Sequence, residues 1–283
     1  MKPLSSYHPL LYWLRVRQKR LMRHLAWRCS GRRYARPEAG SPRLPHRLIK
    51  HTSKLIRTLG DSDLALQHNK VINLKLAVAC IDGVRIAPGE YFSFCKLVGR
   101  PSRRRGFVEG MELSFGEARS GIGGGICQLS NLIHWMALHS PLQVVERANH
   151  SFDPFPDEGR VLPFGSGAAI FYNYIDLVLY NPGPQTLQLK LLVGAQQLEG
   201  ELLCERPREY RYHVYQRAHR FVREGARVYR ENQIWRDIHT KGQDAQLLRQ
   251  ECLYRNRVLV KYPVAEALLD QPAPGSDDAQ HPQ

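Results

Sequence analysis

A cysteine, a histidine and an aspartate near the middle of the chain have the residue types of a thiol enzyme. Cys127 follows the run Gly121-Ile122-Gly123-Gly124-Gly125-Ile126 and opens a stretch, residues 127–139, with neither Gly nor Pro. At 100° per residue, Ile126, Leu129, Leu132, Ile133 and Met136 form one apolar stripe, with Cys127, Ser130, Asn131 and His134 on roughly the other side. The pattern predicts a helix whose first turn holds Cys127. Unpaired N–H groups and the positive end of the macrodipole at such a turn favour thiolate, the nucleophilic form of cysteine. His150, after the β-like run Val144-Val145-Glu146-Arg147, is the general-base candidate, and Asp176 would orient its imidazole through the other ring nitrogen. Gln128, or the N–H groups of residues 126–128, would stabilise an oxyanion. Gly123, Gly124 and Gly125 allow close approach to backbone, Arg147 would anchor a carboxylate, and Asn149 completes the substrate-binding set. The chemistry would be acyl transfer or amide hydrolysis on a peptide.

Each of these residues also has a structural reading. Cys127 can be a small buried hydrophobe beside a loop that serves close packing. His150 can bridge a turn by hydrogen bonds, and Asp176 can satisfy buried backbone. His134 is a second base candidate, but two helical turns separate it from Cys127. A metal centre would need Cys127, His134 and His150 to converge. The six cysteines are scattered without C-x-x-C spacing, so neither a metal nor a cofactor is expected, and reduced thiols fit a cytoplasmic protein. The glycine run lacks the Lys-Ser/Thr of a phosphate-binding loop, and no strand is expected directly before it.

The elements that must position these residues read as an α+β fold. A central helix after the Gly-rich loop would pack on a mostly antiparallel β-sheet, with a basic helical N-terminal arm and a β-rich C-terminal extension. The expected divisions are 1–45 for arm and linker, 46–205 for the core domain, 206–268 for the β-rich extension and 269–283 for a disordered tail. Residues 47–59 suit a short helix and residues 69–81 a helix packed on the core. Strands are expected at 84–86, 91–94, 143–147, 168–172, 175–180, 186–193 and 197–204.

The net charge of +15 sits almost entirely at one end, because residues 1–60 carry fifteen Lys and Arg against one acid, Glu38. Within that segment Leu11, Leu14, Leu21 and Leu25 share a helical face, with Arg15, Arg17, Lys19, Arg20 and Arg23 around it and Trp13 and Trp27 near the ends. Such a helix either docks its leucines on the core or lies on an anionic membrane surface through residues 9–28, at the inner face of the membrane. Nucleic acid is disfavoured, because no RRM, KH or helix-turn-helix pattern accompanies the charge. No apolar run approaches the ~20 residues of a spanning helix, and the run at 9–14 does not read as a signal peptide.

Several of these pieces resemble the VanW family. They are Asn73-Leu74-Lys75-Leu76-Ala77, Pro88-Gly89-Glu90-Tyr91-Phe92-Ser93-Phe94, Gly123-Gly124-Gly125-Ile126-Cys127-Gln128-Leu129-Ser130, Val145-Glu146-Arg147, Asn149-His150-Ser151 and Asp176-Leu177, spread over residues 45–205. The resemblance implies a link with the cell envelope or glycopeptide resistance, and with it a cell-wall precursor peptide as ligand; it implies no particular reaction. Three positions depart from the family pattern: Cys95 stands where members often have Asn, Ala148 where they often have His, and Gly167 where they often have Asp.

Overall fold

The computed structural model describes residues 8–38, 40–56, 64–114, 117–149, 152–153, 156–157, 161–172, 175–242 and 244–269. Helix α1 (Pro9–Cys29) leads to strand β1 (His46–Lys54), helix α2 (Leu64–Ile81), strands β2 (Arg85–Ile86) and β3 (Tyr91–Ser93), and the short helix α3 (Phe94–Val98). A hairpin of β4 (Glu109–Ser114) and β5 (Glu117–Ile122) runs into the glycine loop and helix α4 (Cys127–Leu138). Strands β6 (Gln143–Glu146), β7 (Phe152–Asp153), β8 (Val178–Tyr180), β9 (Leu187–Val193) and β10 (Gln197–Cys204) follow, and then three long strands, β11 (Tyr210–Glu224), β12 (Arg227–Thr240) and β13 (Leu247–Val260). The fold is α+β, and every strand pairing is antiparallel except β13 with β7.

The central sheet has the order β1-β10-β9-β2, and α4 packs on β1 and β10. The packing is close because β10 presents Gly200, where an added Cβ would lie 2.4 Å from Leu132 and 2.7 Å from Met136. Leu129, Leu132, Ile133 and Met136, the stripe read from the sequence, join Leu74, Ala77 and Ile81 of α2 in the main apolar core. A second sheet, β3-β8-β6, lies at the end of α4. The long strands form a third sheet with order β11-β12-β13-β7, attached to α4 through a smaller cluster of Trp135, Leu138, Val214 and Ile234.

Some local expectations are corrected. Residues 46–54 form strand β1 instead of a helix, pairing along β10 from His46–Cys204 to Lys54–Gln197. The sheet edge offered by β10 overrides the local pattern. Strand β5 does precede the glycine run directly. Residues 168–172 make only isolated bridges, at Ala169 and Phe171, and the strand ending at Tyr180 begins at Val178. The tail beyond 269 lies outside the described residues.

Helix α1 meets the rest of the protein with an unexpected side. Trp27 is 9% exposed, with the Lys96 ammonium 5.1 Å from the centre of its ring. Arg23 makes a two-pronged ion pair with Glu146, whose carboxylate also accepts from the Asp176 N–H. The Arg20 guanidinium stands 5.7 Å from the centre of the Tyr172 ring. Leu10, Leu14, Leu21 and Leu25, which fall within about 60° of arc on a 100° wheel, face away and are 57%, 49%, 61% and 51% exposed. The expected docking of the leucines on the core is therefore overturned. Arg20 and Arg23, read as flanking the leucines, lie on the opposite side. Among the described residues no helix is long and apolar enough to cross a membrane.

Candidate functional site

The glycine loop is built by close backbone packing. Gly123 and Gly125 have φ of +83° and +89°, where side chains are rarely accommodated. Gly124 faces Gly110 of β4 so tightly that a Cβ would lie 2.0 Å from the Gly110 carbonyl oxygen. Fully buried Asn73 of α2 fixes the arrangement: its Nδ2 donates to the Val108 and Gly124 carbonyls at 3.0 and 2.9 Å, and its Oδ1 accepts from the Val108 N–H at 2.9 Å. Beside the loop lies a cavity of about 1300 Å³, whose walls include Gly123, Cys127, Phe94, Tyr172, Arg20 and Arg100.

Cys127 is the first residue of α4, as the sequence reading required, and its Sγ faces Ile170, whose carbonyl it approaches at 3.7 Å. The surroundings work against the expected thiolate. Burial pushes the Cys127 thiol up from its ordinary value, and the nearby Glu112 carboxylate adds to the effect. Removing an anion from water here outweighs what the first turn of the helix supplies. Asp176 is buried, and both carboxylate oxygens are engaged at the start of α3, by the Ser93 hydroxyl at 2.6 Å and the Cys95 N–H at 2.8 Å. Burial raises its pKa. His150 lies outside the described residues.

The substrate-binding candidates turn out to hold structure. Gln128 spends its amide N–H groups on the Ser53 hydroxyl and the Lys54 carbonyl, tying the first turn of α4 to the end of β1. Arg147 is not a carboxylate anchor. Its guanidinium donates to the carbonyls of Gly167, at 2.7 Å, and Gly165, and lies 4.0 Å from the centre of the Tyr254 ring. Asn149 Nδ2 donates to Asn256 at 3.4 Å on the cavity rim. Among the described residues no group of three or more His, Cys, Asp or Glu side chains is placed to hold a metal ion.

His134, the second base candidate, is buried and fully used. One ring nitrogen meets the Ser166 carbonyl at 2.8 Å and the other the Tyr254 hydroxyl at 2.9 Å. A neutral ring with the proton on Nδ1 satisfies both. Burial first, and then the Arg147 charge, push its pKa down to about 3. The unfolded chain, with His near 6.5, binds more protons between these values, so stability is full above pH 6.5 and falls as the pH drops towards 3. Between pH 7 and 5 the His134 contribution to lost stability is about 2 kcal/mol. Urea unfolding at both pH values checks this, with His134→Gln expected to flatten the difference; parallel curves would remove the claim.

With the geometry in view, the chain's relatives can be set beside it. Residues 69–203 match the family model described as VanW like protein. The vancomycin B-type resistance protein VanW of Enterococcus faecalis is 29% identical over 96% of this chain and 98% of its own length. Residues 69–203 thus form a VanW-like region. An uncharacterized protein of Bacillus subtilis, YoaR, is 30% identical over 44% of this chain and 40% of its own length. No solved structure matches.

The VanW-like pieces quoted from the sequence bond to one another in space. Asn73 holds Gly124, Asp176 holds Ser93, and Glu146 holds the Asp176 N–H. The matching motifs thus form the frame around the cavity. Arg20, Arg100 and Tyr172, which line the same cavity, lie outside those motifs. The sequence reading put Arg20 beside the leucine face, and nothing in the sequence named the cavity it faces.

Proposed function

We propose that this VanW-like protein is a non-catalytic ligand-binding protein, tethered by α1 to the inner face of an anionic membrane and acting in the cell envelope. The vancomycin resistance in the name of the Enterococcus relative supports a setting near cell-wall precursor peptides, and the cavity beside the glycine loop is the ligand site in this reading. The observation that carries it is the reversed helix. α1 turns Trp27 and Arg23 inward and leaves Leu10, Leu14, Leu21 and Leu25 in solvent, beside Arg17 and Arg28. Exposed leucines on a basic helix are costly in water, and a lipid surface with negative headgroups satisfies both the apolar and the charged side.

Sedimentation with phosphatidylglycerol-containing vesicles tests the tether. The protein should pellet with them and not with neutral vesicles, and Leu21→Gln with Leu25→Gln should weaken the association roughly tenfold or more. These positions are exposed, so the fold is unaffected. Equal pelleting by parent and variant would end the membrane reading.

A thiol enzyme acting on peptidoglycan-type peptides is the second reading, and one observation favours it: Cys127 lies on the cavity wall at the start of α4. Iodoacetamide labelling across pH separates the two. Ligand binding without catalysis expects slow labelling of Cys127 with a midpoint above about 8.5, the value of a free thiol, since burial raises it. A midpoint well below that value, with Cys127→Ala abolishing cellular function, would restore the enzyme.

A further inference from the structure

We infer that the cavity binds a ligand with an oxyanion head, a carboxylate or a phosphate, between the guanidinium groups of Arg20 and Arg100. The inference rests on the reading of the cavity as a ligand site and names the chemistry of what enters it. Arg20 comes from the inward face of α1 and Arg100 from the loop after α3, and both line the cavity, as do Phe94, Val98 and Tyr172. No carboxylate among the described residues pairs with either group. Several other arginines do have acidic partners: Arg23 with Glu146, Arg103 with Glu109, Arg119 with Glu112 and Arg230 with Asp153.

Two like charges have been brought together in one lumen, and Arg20 is partly stripped of water. Its Nε is buried without a hydrogen-bond partner, and burial and the Arg100 charge both make its protonated form harder to hold. The Tyr172 ring offsets some of this cost through its face. An oxyanion between the two guanidinium groups would remove the repulsion and fill their terminal donors, since the planar fork suits carboxylate and phosphate alike. Apolar lining residues such as Phe94 and Val98 would carry the ligand's body.

The test uses the full chain and three probes: N-acetyl-alanyl-alanine as the free acid, the same dipeptide as its C-terminal amide, and inorganic phosphate. Titration calorimetry should detect the free acid, phosphate or both, and not the amide; which of the two anions binds identifies the source. Arg20→Gln and Arg100→Gln should each weaken that binding roughly tenfold or more. Without ligand, neither variant should melt below the parent, because each substitution relieves like-charge repulsion. Arg100 is exposed on its loop, so Arg100→Gln carries the test alone if Arg20→Gln fails to fold. Binding of the acid and the amide alike, no binding of any probe, or unchanged affinity in the variants would overturn the inference. Vesicle sedimentation of Arg100→Gln reads the tether independently, so loss of anion binding with pelleting intact leaves the membrane reading standing.

Discussion

Arg230→Met should cost about 3–5 kcal/mol of folding stability, read as a lower urea midpoint at pH 7. Arg230 is 1% exposed and lies on β12 of the long-stranded sheet. Its Nη1 donates to Asp153 at 2.9 Å and Asp157 at 2.8 Å, its Nε donates to His219 at 2.8 Å, and the Phe164 and Phe221 rings lie 4.5 and 5.2 Å from its guanidinium carbon. Methionine fills much of the volume but leaves the Asp153 carboxylate buried without its cation. Asp157 is half exposed and can turn to water. The second substitution Asp153→Leu should therefore recover part of the loss, because replacing both partners of a buried pair is far cheaper than removing one. A loss below about 1 kcal/mol for Arg230→Met would refute the account.

Gly124→Ala is the second large effect, about 3 kcal/mol, and so a fall in melting temperature of roughly 6–12 °C for a chain of this size. The contact at stake is backbone against backbone, which no rotamer change relieves. An added Cβ meets the Gly110 carbonyl oxygen at 2.0 Å, and one at Gly110 would meet the Gly124 oxygen at 2.5 Å. Gly121→Ala is the control, since its Cβ would meet only the carboxylate end of the Glu112 side chain at 2.5 Å, which can swing away. Equal melting of the two variants would show that the loop yields, and that its glycines serve something other than packing.

The helix after the glycine loop was legible because its stripe of Ile126, Leu129, Leu132, Ile133 and Met136 repeats at the helical period, and the mostly antiparallel topology followed from the short alternating runs behind it. Strand β1 was not, because His46–Lys54 lacks a strong pattern and is defined by its partner across the sheet. The extension was legible as β-rich, but its three long strands were not delimited, since charged residues on the exposed faces interrupt the alternation. At the site the order of residues pointed to chemistry, while three-dimensional partners assigned other tasks. Arg147 could be taken for an anion anchor until Gly165 and Gly167 presented their carbonyls, and Gln128 for an oxyanion donor until β1 arrived beside it. The leucines of α1 were visible as a stripe, but only the docked Trp27 and Arg23 reveal which way the stripe looks.

A helix that borders a cavity with Arg20 while presenting Leu21 and Leu25 to the outside cannot respond on one side alone. Any occupant that grips the inner flank restrains the outer one. If α1 seats its leucines in a bilayer as proposed, thermodynamic reciprocity requires that any factor by which the bilayer changes affinity in the lumen equals the factor by which the occupant changes attachment. The N-terminal segment would in that case link the two sides, and the ion pair of Arg23 with Glu146 is the contact through which such a link would run.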